Sequence, residues 1–135
     1  MRAMTVRQPW AWQIIHQRKD VENRTRNIAG QYRGPVAIHA AQKYDDDAMA
    51  RLPMHAPPWI TEPRVFYPGI ILGVVDLVDV VEDSTSEWAQ PSLKHLVLAN
   101  PRPVRDVIPA RGALGLWTPS LDLQVAIGIS IEGGV

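Results

Sequence analysis

Hydrophobic and polar positions along this chain repeat with two different periods, and the switches between them mark the elements. Residues 3–6, AMTV, predict a short strand. RQPWAWQIIHQRK, residues 7–19, changes to a helical period. Trp10 and Ile14 lie four apart, as do Ala11 and Ile15, which gives one apolar stripe. Pro9 suits the first helical position, and His16, Arg18 and Lys19 suit the C-terminal end of a helix dipole. DVENRT, residues 20–25, returns to a period of two. Val21 and Asn23 fall on one face; Asp20, Glu22 and Arg24 fall on the other. With Val21 toward the core, Glu22 and Arg24 share the opposite face, close enough to pair.

AGQYRG reads as a turn, and PVAIHA as a strand with Val36 and Ile38 on one face and Ala37 and His39 on the other. YDDDAMARL opens like a helix, with Asp45–Asp47 at a favourable N-terminus. Residues 53–68 carry five prolines and predict an irregular excursion. GIILGVVDLVDVVE, residues 69–82, is apolar on both faces and predicts a long central strand. EDSTSEW predicts a polar loop, LKHLVLAN a strand, PRPVRDVIPARG an extended proline-rich stretch and ALGLW a last short strand. TPSLDLQVAI opens a helix capped by Thr118 or Ser120, and the tail from about residue 125 reads as frayed. Several short strands with few helices point to a small α+β barrel in a single domain over residues 1–135, rather than to a doubly wound sheet.

Composition changes this picture little. A chain of 135 residues with 46% hydrophobic and 21% charged residues has enough apolar material for one core. The absence of cysteine excludes disulfides, thiolate metal sites and a cysteine nucleophile. MRAMTVRQPW has no apolar core of the kind a signal peptide needs, and the longest apolar run is short and carries Asp76 and Asp79. The expectation is a cytoplasmic protein that does not enter membranes.

Charge is more informative. The net charge is zero, but residues 1–43 carry eight Lys/Arg against two acids, and residues 44–90 carry nine acids against two Arg. A neutral total argues against strong non-specific DNA binding, while the basic first third permits one local anion-binding face. The four histidines show no HxH or HxxxH spacing, and there is no phosphate loop, GxSxG or dinucleotide fingerprint. No metal site or cofactor is expected.

The residues that remain form an ordered set: TVRQPWA, then Lys19, Glu22 and Arg24 as K-x-x-E-x-R, then GPVAIHA, NPRP and RGALGLW. In these the chain resembles the ASCH domains of the PUA-like superfamily, from about Met4 to Trp117. The family hallmark is G-x-K-x-x-E-x-R after the first helix; here Gln17 stands at the glycine position. The resemblance implies a small PUA-like β-barrel with helices packed around it. It implies a cleft between barrel and first helix, lined by the motif, that binds RNA, a nucleotide or a modified nucleoside.

The residues suit such a ligand. Arg24 offers a planar fork for phosphate or a carbonyl pair. Glu22 accepts from an exocyclic amine or holds Arg24 and Lys19 in place, and Lys19 supplies a point charge. Trp10 is either core packing or a stacking platform. Gln8 either caps the helix or meets a base edge. His39 is either a satisfied barrel histidine or a ligand contact. Simple surface ion pairing of Lys19, Glu22 and Arg24 is the bland alternative. The resemblance also extends to amidohydrolases acting on N4-acylated cytidine and to proposed ribonucleases. In an enzyme, Lys19 and Glu22 would be catalytic, with Glu22 as general base. The amidohydrolase-like branch, however, has threonine at the position of Glu22. A third possibility is a protein-binding groove at the proline-rich 53–68 segment.

Overall fold

The computed structural model describes residues 1–52 and 66–131. The chain runs β1 (Arg2–Val6), α1 (Trp10–His16), β2 (Val21–Arg24), β3 (Gly34–Ala40), α2 (Asp46–Ala50), β4 (Ile70–Val81), β5 (Lys94–Pro109), β6 (Leu116–Trp117) and α3 (Leu121–Ser130). The strands form one mixed sheet in the order β2-β5-β4-β3-β1-β6, curved into a half-barrel. β1 and β3 are parallel, with Thr5 opposite His39; every other pairing is antiparallel. The expected α+β barrel class therefore holds in this coarse form, with β4 central as its two-sided apolar pattern required.

Period-two alternation sorts the core. Met4, Val6, Val36, Ile38, Leu72, Leu77, Leu96 and Leu98 pack on one side with Ala11, Trp12, Ile14 and Ile15 of α1. Ala3, Ala37, Ile71, Val74 and Ile108 pack on the other with Ile127 of α3. Each burial removes apolar surface from water at roughly 25 cal/mol per Å².

Three expectations need correction. Pro9 stands at the N-cap, one residue before its expected place. The stretch after LKHLVLAN is not a separate extended piece: β5 continues through Pro101 and Pro103 to Pro109. β2 pairs only with Lys94–Val97, so Pro101 and Pro103 fall beyond its reach, where β2 does not call on the N–H they lack. Residues 125–131, expected as a frayed tail, continue α3 and then bridge Val104 to Ile131. Asp45 caps α2 and Ser120 caps α3, each accepting a backbone N–H three residues on. Residues 53–65 of the proline-rich excursion lie outside the described residues. Among the described residues no helix is long and apolar enough to cross a membrane.

Candidate functional site

α1 ends through Arg18, which takes the left-handed conformation at φ 58°. Gln17, at the hallmark's glycine position, has an ordinary φ of −125°. The conformational demand for glycine therefore falls on Arg18, and Gln17 is sterically unremarkable.

Lys19 follows, and its Nζ donates to the Val21 carbonyl and, at 3.2 Å, to Glu22 Oε1. Glu22 Oε2 accepts from Arg24 Nε at 3.0 Å, and Arg24 Nη2 donates to the Thr5 carbonyl at 3.0 Å. The side chains of Lys19, Glu22 and Arg24 are 3%, 11% and 26% exposed, so this is no surface ion pair. Glu22 stands opposite Leu96, a core residue on the α1 side. Directly opposed residues of an antiparallel pair share a face. The Glu22–Arg24 face is thus the α1 side of the half-barrel, whereas the period alone suggested a face away from the core. Val21 is buried as well, so both faces of β2 are covered.

The bond from Arg24 to Thr5 has a second consequence. β2 is one edge of the sheet, and β1 adjoins the other edge, where the two residues of β6 cover only Ala3 and Met4. A guanidinium side chain, not a strand ladder, bridges the half-barrel at Thr5.

Two lobes of a cleft meet at this network. One, of about 410 Å³, is lined by residues including Trp10, Lys19, Glu22, Asn23, Asp45 and Trp88. The other, of about 400 Å³, is lined by Thr5, Arg7, Trp10, Glu22, Arg24 and Leu114 among others. Trp10 and Glu22 belong to both walls. The Trp10 indole N–H donates to Asp45 Oδ2 at 2.9 Å, and Lys19 Nζ lies 5.7 Å from its ring centroid. That indole hydrogen bond, then the Ala48 backbone N–H, holds the Asp45 carboxyl below its usual range, with Arg51 and Arg7 adding to the effect. The far wall is the 82–93 loop. Asn23 donates to the Trp88 carbonyl and accepts from the Gln90 N–H, both at 2.9 Å. His95 accepts from the Ser84 N–H and contacts the Gln90 carbonyl.

The residues expected at the site therefore divide. Trp10, Lys19, Glu22 and Arg24 converge. Gln8 does not line the cleft: it is 0% exposed, its Oε1 accepts the Trp12 N–H at 2.9 Å, and its Nε2 donates to the Tyr67 carbonyl. It serves the start of α1. His39 lines neither lobe; it opens on an adjoining cavity with Thr5. Its Nε2 meets the Ala110 carbonyl at 2.7 Å and must donate there. Its Nδ1 then accepts from the Thr5 hydroxyl at 3.2 Å, and that oxygen accepts from the Trp117 indole at 3.1 Å. Burial holds the His39 imidazole below its ordinary range, against the pull of the Ala110 carbonyl. Sequence reasoning missed Asn23, Asp45 and Trp88 as cleft residues. Asn23 lay inside the motif, while Trp88 gave only the weak signal of a tryptophan closing a polar loop.

Chemically, the network can hold a ligand. A carboxylate has about four acceptor positions and Arg five donors, so Glu22 and Arg24 keep capacity beyond their mutual bond. Among the described residues no hydroxyl is a hydrogen-bond partner of Lys19 or Glu22, and Thr25 is exposed. A comparison with curated proteins returned no match. The model of the ASCH domain matches residues 4–127, ending at the buried Ile127 of α3. ASCH domains are associated in general with RNA binding. With nearly its whole length matched, the chain belongs to the ASCH domain family.

Proposed function

We propose that this domain, as a PUA-like module, binds RNA or a single, modified nucleotide in the cleft around Trp10 and Glu22. The carrying observation is that one indole and one carboxylate wall both lobes at once. In this reading a base stacks on Trp10 with its edge toward Glu22, and its phosphate lies toward Arg24 and Arg7. The lining charges support that polarity. Among the described residues, the Trp10–Trp88 lobe carries Glu22, Asp45 and Glu87 against Lys19 and Arg51, whereas the Arg24 lobe carries Arg7 and Arg24 against Glu22 alone. The hydrolase alternative has less support, because among the described residues a nucleophilic hydroxyl is not a partner of Lys19 or Glu22.

Titration of a labelled RNA and nucleoside panel against wild type, Trp10→Leu and Arg24→Ala tests the reading, with a thermal melt of each variant as the folding control. Trp10→Leu is expected to weaken binding by about 1–3 kcal/mol, the value of one base–aromatic stack. No binding of any RNA or nucleoside by wild type removes the proposal. Turnover of N4-acetylcytidine, lost in both Lys19→Ala and Glu22→Ala, would replace it with hydrolysis.

A further inference from the structure

We infer that the ligand is a single-stranded RNA segment rather than an isolated nucleotide, entering a groove that continues past Arg24 to Arg111. This rests on the binding reading above and extends it. The cleft does not end at its second lobe. Thr5, Ala113 and Leu114 line that lobe and also the cavity beyond it, whose wall is completed by His39, Gln42, Gly69, Pro109, Ala110, Arg111 and Gly112. That third space is about 840 Å³, near the upper end of the roughly 300–1,000 Å³ of an entire small-molecule site. A mononucleotide seated on Trp10 would leave it unused.

The number of acids falls along the same line. Among the described residues, three acids line the Trp10–Trp88 lobe, Glu22 alone lines the second, and no acid lines the third, where Arg111 stands. The chain as a whole is neutral, so the gradient is local. A nucleoside makes no use of cations so far from its base. A strand whose phosphates leave the first lobe in one direction does.

The wall between the second and third spaces is built for a strand to cross. Residues 110–115 form a strap joining β5 to β6. At one end the Ala110 carbonyl is held by His39 and the Ala110 N–H donates to the Gly69 carbonyl at 3.0 Å. At the other, Leu116 and Trp117 pair with β1. Between them the strap lies directly on the Thr5–His39 pair: a Cβ on Gly112 would stand 2.6 Å from Thr5 Oγ1 and 2.8 Å from the His39 ring. The strap is thereby fixed in height. On it Leu114, 98% exposed, lines both spaces. An isolated, uncovered leucine between two spaces gives a base a non-specific apolar surface to lie against, without sequence readout.

The experiment is a length ladder. Labelled uridine monophosphate, di-, tri- and hexauridylate are titrated by fluorescence anisotropy against wild type, Arg111→Ala and Arg111→Lys at several salt concentrations. Wild type is expected to bind the hexamer at least tenfold more tightly than the monophosphate, with a salt slope steeper by roughly 0.7 per added phosphate contact. In Arg111→Ala the hexamer-to-monophosphate ratio should collapse severalfold, and Arg111→Lys should restore most of it. Equal affinity for monophosphate and hexamer, or an unchanged ratio in Arg111→Ala, overturns the extended groove while leaving the nucleotide site standing. Failure of every ligand, monophosphate included, overturns both.

Discussion

Two polar networks meet at Thr5, and they are built differently. On its backbone side, the Thr5 carbonyl accepts from Arg24, the end of a charged chain through Glu22 to Lys19. On its side-chain side, the Thr5 hydroxyl joins Trp117 and His39 in a neutral chain that ends on the Ala110 carbonyl. Both are largely buried and both tie separate elements together. If position alone were needed, neutral hydrogen bonds would suffice, as they do under the strap. Charges near the core demand a partner for every member, because an unpaired buried ion is costly. Keeping three of them at the mouth of a cleft, with acceptor and donor capacity left over, is what a polar ligand would use and what mere closure of the half-barrel would not need.

The largest effect should come from breaking the charged side. Glu22→Ala leaves Lys19 and Arg24 facing each other without their shared carboxylate. It is expected to cost about 3–5 kcal/mol in chemical denaturation, the usual consequence of removing one partner of a buried ionic group. Thr5→Val leaves the Trp117 indole and His39 Nδ1 without their shared oxygen and should cost less, about 1–3 kcal/mol. It keeps the carbonyl that Arg24 uses. Equal costs would erase the distinction between the two networks.

A smaller effect is expected from pH on the neutral side. Burial depresses the His39 pKa, so the folded state favours the uncharged ring and the unfolded chain binds more protons. Stability is therefore full above the ordinary histidine value of about 6.5 and is lost as pH falls through it toward the lower folded value. The melting temperature should drop over that window in wild type. Part of the drop should vanish in His39→Gln, which can donate and accept but does not titrate. The difference between the two curves isolates His39 from the other three histidines. Identical curves would mean that protonating His39 does not disturb the strap.

How far the sequence could be read depended on the range of the interactions. The strands showed through local alternation, and the Glu22–Arg24 pairing followed from a spacing of two. The burial of that pair did not, because it depends on Leu96 lying opposite. β5 read as two pieces because proline usually breaks a ladder; its tolerance comes from how short β2 is, 70 residues earlier. α3 was cut short for a different reason. Leu121, Val125 and Ile129 are exposed at spacings of four, so the helix has no polar face to announce it. Trp88 is tied to the cleft by Asn23, 65 residues away. What stayed illegible was partnership across the fold, not the character of each segment.

The smallest effect tests how the charged network is aimed. The hallmark glycine corresponds to Gln17, yet the left-handed residue is Arg18. A non-glycine residue there pays about 1–2 kcal/mol in contact between Cβ and backbone. Glycine would relieve it while adding freedom to the unfolded chain, a counterweight of about 0.4–1 kcal/mol. Arg18→Gly should therefore stabilise by about 0.5–1 kcal/mol. Gln17→Gly, at a backbone angle any residue adopts, should destabilise by a similar amount. Urea midpoints of the two variants measure both. Because Lys19 follows directly and its backbone N–H bonds to Gln13, a relaxed Arg18→Gly turn should leave the Lys19–Glu22 geometry, and hence nucleotide affinity, unchanged. If affinity instead falls while stability rises, the strain at Arg18 is part of what presses Lys19 against Glu22, and the charged network is held by the helix end as well as by its own bonds.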